Sequence, residues 1–135
     1  MKTFVYVDAF NLYYGTAKDT PYKWLDLQAL CQIMIPKNTL HASSTSQRLL
    51  VDAFDNAFEC AVIVSGDSDL RAPVQIVANR FHKTLGVLNP QKKPCKALQG
   101  AAHFYKHIRE AALQASQFPA ILTDRQGTFH KPSSW

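Results

Sequence analysis

Apolar positions along the chain fall into two patterns. Phe4-Val5-Tyr6-Val7 and Ala61-Val62-Ile63-Val64 are short unbroken runs rich in β-branched and aromatic residues. Such runs predict strands buried on both faces of a parallel sheet. Thr84-Leu85-Gly86-Val87-Leu88, ended by Asn89-Pro90, reads as a third strand, and Phe104 to Ile108 as a last short one. Between them the spacing turns helical. Leu27, Leu30, Cys31 and Met34 form one stripe, with Asp26 as its N-cap and Pro36 closing it. Leu49, Leu50, Ala53, Phe54, Ala57 and Phe58 form another, whose polar face, Asp52, Asp55, Asn56 and Glu59, is expected to meet water. Further helices are predicted over 69–80, with Pro73 tolerable only in a first turn, from Pro94 through Ala102, and over 109–116. Residues 37–47 are polar and aperiodic, and 118–135 read as an irregular tail. Strands alternating with helices predict an α/β layered fold with a parallel sheet, in one domain over 1–117.

Length sets the scale of the core. A single domain near the 135 residues of this chain buries roughly two thirds of its unfolded surface, so no staple is needed. Hydrophobic residues at 47% with charged residues at 19% describe a globular chain rather than a disordered one. No apolar run approaches the ~20 residues of a membrane span. The start, Met1 to Asp8, has too short an apolar stretch for a signal peptide and no small-residue cleavage site. Cys31, Cys60 and Cys95 are widely spaced and form no C-x-x-C pair, so they read as idle thiols of a reducing, cytoplasmic setting.

Charge is unevenly placed. Residues 1–67 hold five Lys/Arg against seven Asp/Glu, net −2, whereas residues 68–135 hold ten against three, net +7. A basic surface beside carboxylates suits a polyanion held near a metal, although ordinary solubilising charge gives the same totals.

The candidate chemistry follows from where the carboxylates fall. Sites of open α/β sheets form beyond the carboxyl ends of the strands. Asp8 ends the first strand, and Asp67 and Asp69 follow Val64 in Ser65-Gly66-Asp67-Ser68-Asp69. If those strands are neighbours the acids meet at one edge. Two unit charges ~4 Å apart repel by about 4 kcal/mol at an effective dielectric near 20, so the cluster calls for a cation, and hard oxygen ligands favour Mg²⁺ or Mn²⁺. Helix capping by the residues of this loop is the bland alternative. Gly66 lets the loop turn tightly, and Ser65 and Ser68 are donors to carboxylates or phosphate oxygens. Asn11 either orients Asp8, touches phosphate, or stabilises its own turn. Lys92, Lys93 and Lys96 follow the third strand and are candidates for phosphate contacts, with a solvated loop the alternative. Tyr13, Tyr14 and Trp24 are candidates for base stacking, against the commoner use of such residues in packing. His103 and His107, four apart, would pair on a helix, but no third ligand accompanies them.

The segments carrying these residues resemble a known family. V-Y-V-D-A-F-N-L-Y-Y-G (5–15) resembles the first motif of NYN domains, a PIN-like ribonuclease branch, and V-I-V-S-G-D-S-D-L (62–70) resembles their later acidic motif. G-V-L-N-P (86–90) and the tail segments in 116–135 look like those of bacterial NYN proteins. The resemblance covers about 1–36 and 48–135. It implies a three-layer, Rossmann-like PIN fold around a mostly parallel sheet, and metal-dependent cleavage of RNA. It implies Asp8, Asp67 and Asp69 as catalytic metal ligands for Mg²⁺ or Mn²⁺, with Asn11 and Ser65 in support. It breaks in the middle. Family members carry a further strand, a long insert and a K-G-S-D-V-N-L-A-like motif whose Asp is a fourth acid. Counted back from Leu49-Leu50, that Asp falls on Ala42 and the motif's Asn on Ser44. The chain thus resembles an NYN domain shortened around 37–47, with one strand and one ligand missing and Asp52 a poor substitute. Such a loss would bare a sheet edge, which favours pairing into a homo-oligomer.

Two functions compete from this reading: a ribonuclease, and a non-catalytic remnant that binds RNA or protein. A toprim-like phosphotransfer domain, which also uses D-x-D after a strand, fits poorly. It needs a Glu at an earlier strand end, and Glu59 and Glu110 are not there.

Overall fold

The computed structural model of the protein describes residues 2–35, 39–43 and 46–135, with side chains described outside 39–43 and Ser46. Its centre is a five-stranded sheet in the order β2-β1-β3-β4-β5. The strands are β1 (Lys2–Val7), β2 (Thr39–Ser43), β3 (Cys60–Val64), β4 (Thr84–Asn89) and β5 (Phe104–His107). Every pairing between them is parallel.

Helices cover both faces. On one side lie α1 (Ala9–Leu12, running on as a π turn over Tyr13–Ala17), α2 (Leu27–Met34) and α6 (Glu110–Ala115). On the other lie α3 (Ser46–Phe54), α4 (Arg71–Gln75, running on as a π turn over Ile76–Arg80) and α5 (Lys96–Ala101). The pleat sorts each strand between the two layers. Val5, Val62, Val64 and Leu88 pack with Leu12, Leu30, Cys31 and Leu113, whereas Tyr6, Ala61, Ile63, Leu85 and Val87 pack with Leu49, Val74, Val77 and Leu98. The unbroken apolar runs are therefore strands buried on both faces, as their composition predicts. Asp26 caps α2, its side chain accepting from the Ala29 amide at 3.1 Å. Pro73 lies in the first turn of α4, where its missing amide costs nothing.

Several sequence expectations need correction. The aperiodic segment 37–47 was expected to lack structure and to leave the sheet one strand short. Thr39–Ser43 instead forms β2, paired in parallel with β1 from Lys2↔Thr39 to Tyr6↔Ser43. The pairing uses backbone groups, so it needs no apolar alternation, and it covers the β1 edge on which the expectation of oligomer pairing rested. The tail is not irregular. Ile121–Asp124 (β6) and Gly127–His130 (β7) form an antiparallel hairpin. Trp24 anchors the segment leading into it: its indole Nε1 donates to the Pro119 carbonyl at 2.7 Å, and its ring meets Phe118 and Trp135 edge-on. Trp24 is thus a packing residue.

Asp52, expected to face water, is buried at 3% exposure. The Tyr6 hydroxyl donates to its Oδ2 at 2.7 Å, and Arg48 Nε lies 3.0 Å from its Oδ1. Burial, reinforced by this carboxylate, pushes the Tyr6 phenol far above its ordinary range. His103 and His107 share no helix. His107 ends β5, and His103 precedes it, its Nδ1 accepting from the Leu85 amide at 3.0 Å. Among the described residues no helix is long and apolar enough to cross a membrane.

Candidate functional site

Strand register builds the site. Val7 pairs with Val64, and Val64 with Leu88. The ladder then continues one step past the strands: the Asp8 amide donates to the Val64 carbonyl, and the Ser65 amide to the Leu88 carbonyl, both at 3.1 Å. Next in the row Asn89 stands opposite His107, and one step on the Ile108 amide donates to the Asn89 carbonyl at 2.9 Å. Asp8, Ser65, Asn89 and His107 therefore line up along the carboxyl edge of the sheet, although they come from four distant segments.

Their side chains are wired together. The Ser65 hydroxyl, fully buried, donates to Asp8 Oδ2 at 3.1 Å and accepts from the Asp67 amide at the same distance. Asp8 Oδ1 accepts from the Asn11 amide at 3.1 Å, capping α1. Asn11 reaches back, its Oδ1 accepting from the Gly66 amide at 2.8 Å. Of the three roles open to Asn11, its side chain takes none directly on Asp8: it ties the first acidic loop to the second, while its backbone amide meets Asp8.

Gly66 is required for a different reason from the one its turn suggested. A Cβ there would lie 2.3 Å from Asn89 Oδ1. Asn89 cannot yield, because it is fully buried and its amide is engaged throughout. Its Nδ2 donates to the Lys93 carbonyl and the Tyr105 hydroxyl, and its Oδ1 accepts from the Gln91 amide. Gln91 Nε2 in turn donates to the Asn11 carbonyl at 2.8 Å. Three loops are thus locked into one unit. Asn89 and Gln91 escaped the sequence reading; the only signal for them was a polar pair around the proline that ends β4.

The acids do not all converge. Asp8 and Asp67 are both half-buried and are joined through Ser65, whereas Asp69 is exposed in the 3₁₀ turn Ser68–Leu70. Its backbone amide donates to Asp67 Oδ1 at 2.9 Å, so Asp67 also caps that turn. Among the described residues no three His, Cys, Asp or Glu side chains stand close enough together to hold a metal ion. Ala42, matched to the fourth acid, pairs with Val5 inside β2, three positions short of the Asp8 row. Ser44 lies outside the described residues. Asp52 is committed to Tyr6 and Arg48. At most Asp8 and Asp67, whose loops Ser65 joins, remain as a donor pair. A pair fits Mg²⁺, which commonly takes one or two carboxylates and completes its octahedron with water and substrate phosphate; an all-protein cage does not fit.

Comparison with known proteins supports the layered architecture. The crystal structure of a protein of unknown function, VPA0982 from Vibrio parahaemolyticus, superposes with a TM-score of 0.63 over 87% of this chain and 96% of that one, at 17% identity. The chain has a Rossmann-like layered α/β fold. In sequence it is 37% identical over 76 residues to 6-hydroxy-3-succinoylpyridine 3-monooxygenase HspA of Pseudomonas putida (strain DSM 28022 / S16), a match spanning 50% of this chain and 24% of that protein. The chain thus spans about a quarter of the curated relative it matches. No family model matches the chain.

Around the acidic pair the surface divides into two kinds. Phe10 is 80% exposed, and Tyr13 and Tyr14, three and four residues on, are exposed too. The two tyrosine rings meet edge-on with centroids 5.4 Å apart, and Lys18 Nζ lies 4.9 Å from the Tyr14 ring centre. Tyr13 and Tyr14 thus remain open to stacking, and Phe10 joins them. On the other side lies a cleft of about 390 Å³ at the ends of β4 and β5, lined in part by Gln91, Lys92, His107 and Arg109. Lys93 and Lys96 are exposed nearby in sequence, Lys96 opening α5. The thiols take no part in this region. Cys31 and Cys60 are buried and all three are free. Burial pushes the Cys31 thiol up to about 11.

Proposed function

We propose that the chain is a metal-dependent ribonuclease of the NYN/PIN-like type, hydrolysing phosphodiester bonds of RNA with Mg²⁺ or Mn²⁺. The observation that carries this reading is the Ser65 hydroxyl joining Asp8 to the Asp67 loop at the carboxyl edge of the sheet. A divalent ion bound there supplies a water of lowered pKa and positive charge beside the phosphodiester. Asp8 and Asp67 are its proposed ligands, Asp69 contributes negative charge from the exposed turn, and Asn11 and Ser65 hold the two loops in place. Exposed Phe10, Tyr13 and Tyr14 supply stacking faces for single-stranded RNA, and Lys92, Lys93 and Lys96 supply phosphate contacts. The oxygenase activity in the relative's name is that of a protein of which this chain spans 24%, and it is not carried over.

The test is cleavage of a single-stranded RNA with Mn²⁺ titrated in. Asp67→Asn should cost at least ~100-fold in rate, because a metal's charge stabilisation is worth several kcal/mol and each 1.4 kcal/mol is a factor of ten. Robust cleavage persisting in EDTA would sink the reading.

A second reading has its own observation. No three acids stand together among the described residues, and Ala42 stands where the resemblance expects the fourth acid. On this account the chain is a non-catalytic remnant that binds RNA or protein. Salt-sensitive RNA binding without turnover at any Mn²⁺ concentration would favour it over the nuclease.

A further inference from the structure

We infer that the cleft beside the acidic pair is a binding site for one nucleotide unit, its phosphate at the lip and its base or sugar within. Its place next to the cleaved bond rests on the ribonuclease reading; its capacity to hold a nucleotide does not.

Position comes first. The cleft opens where β4 and β5 end, one step along the edge from Ser65, with the end of the α1 segment as its other wall. That wall is fixed. A Cβ on Gly15 would lie 2.6 Å from the Pro90 carbonyl oxygen, so the two chain segments touch at backbone distance. Gln91 belongs to the cleft and also donates to the Asn11 carbonyl. A ligand in the cleft is therefore held at a constant offset from Asp8 and Asp67.

Size and chemistry agree. About 390 Å³ lies within the usual range of small-molecule sites, ~300–1,000 Å³. Lys92 and Arg109, both exposed, bring two full positive charges against one carboxylate, Glu110. Arg109 presents a planar fork suited to phosphate oxygens. Tyr22 and Leu113 give apolar surface for a flat base or a sugar face. His107 Nδ1 lies 3.1 Å from the Gln91 carbonyl oxygen. A carbonyl only accepts, so Nδ1 carries the proton and Nε2 of the neutral ring is an acceptor. An acceptor of that kind suits an N–H of a base or a ribose hydroxyl. Sequence reading had Lys92 as a phosphate contact, paired His107 with His103 and missed Arg109, because their grouping depends on two loops meeting.

The experiment uses the full chain carrying Asp67→Asn, so that ligand binding is read apart from cleavage. Each of the four nucleoside 5′-monophosphates and inorganic phosphate is titrated by calorimetry, with amide chemical shifts followed in parallel. The expected result is saturable nucleotide binding, at least ~tenfold tighter than inorganic phosphate, with shifts at Gly15, Lys92 and Arg109. Lys92→Ala and Arg109→Ala should each weaken it about tenfold, the loss of one charge-assisted hydrogen bond. Both side chains are exposed, so circular dichroism should show an intact fold. Failure of all four nucleotides to bind, affinity equal to that of phosphate, or affinity unchanged in both variants would overturn the inference. Nucleotide binding by the Asp67→Asn chain, with no RNA cleavage by the wild-type chain at any Mn²⁺ concentration, would overturn the ribonuclease reading and leave the cleft standing; wild-type cleavage without nucleotide binding would do the reverse.

Discussion

The hydroxyl of Ser65 occupies a point where two acidic loops meet, and both of its hydrogen-bonding roles are taken. It gives its proton to Asp8 Oδ2 and receives one from the Asp67 amide. Removing it deprives a half-buried carboxylate of a donor and a buried amide of its acceptor, while the volume lost is a single oxygen. Groups that orient ligands from behind typically control metal affinity or activity by ~10–100-fold. Ser65→Ala should therefore raise the Mn²⁺ concentration needed for half-maximal cleavage by at least about tenfold, with circular dichroism unchanged. Equal Mn²⁺ dependence in wild type and variant would show that Ser65 ties the loops together without positioning a ligand. Part of this unit was legible from the chain. Strand-ending Asp8 and the Ser-Gly-Asp loop announce themselves by following buried apolar runs. Ser65 reads as a carboxylate donor from its place in the loop, but that the carboxylate it meets is Asp8, with Asp69 standing aside, was not legible, because it follows from register between strands 57 residues apart in sequence.

Packing of α3 on the sheet shows the same limit from the other side. Its apolar positions Leu49 and Ala53 are buried as the 3.6-residue period predicts, while Phe54 on the same stripe is 77% exposed. Asp52, polar by type, is buried because Tyr6 stands beneath it and supplies a donor. No periodicity reveals such a pair; burial of a carboxylate is tolerable only where specific partners satisfy it. β2 was illegible for the opposite reason. Its five residues, Thr-Leu-His-Ala-Ser, carry only Leu40 and Ala42 as apolar positions within a polar stretch, and the backbone ladder with β1 is what defines it. The Tyr6–Asp52 bond gives a direct measure of how firmly α3 is docked. Tyr6→Phe leaves the ring packed and strips one hydrogen bond from a buried carboxylate, which should cost about 1–3 kcal/mol and lower Tm by several degrees. Arg48 still faces Asp52 in that variant, so the loss is expected toward the lower end. A Tm within a degree of wild type would mean that Arg48 alone satisfies the carboxylate.

Charge separates the molecule along its chain, and the fold turns that separation into a surface argument. The first half carries the acidic pair and a net −2; the second half carries net +7 and contributes β4, β5 and the loops that follow them. Those loops reach the same carboxyl edge as the acids, since Asn89 and His107 extend the row begun by Asp8 and Ser65. An acidic pair bordered by cations would draw a polyanion across itself while leaving the metal ligands to the ion. If the polyanion is single-stranded RNA, each phosphate neutralised by a lysine or arginine releases counterion and contributes roughly −0.7 to the slope of log K against log salt. Lys92, Lys93 and Lys96 are the three named contacts, so replacing all of them by Ala should flatten that slope by about 2 units, while base preference, set by stacking and not by phosphate contact, stays as it was. Measured by fluorescence anisotropy on the Asp67→Asn chain without divalent metal, an unchanged slope would move the RNA path off the β4–α5 loop and onto the other cations of the basic half.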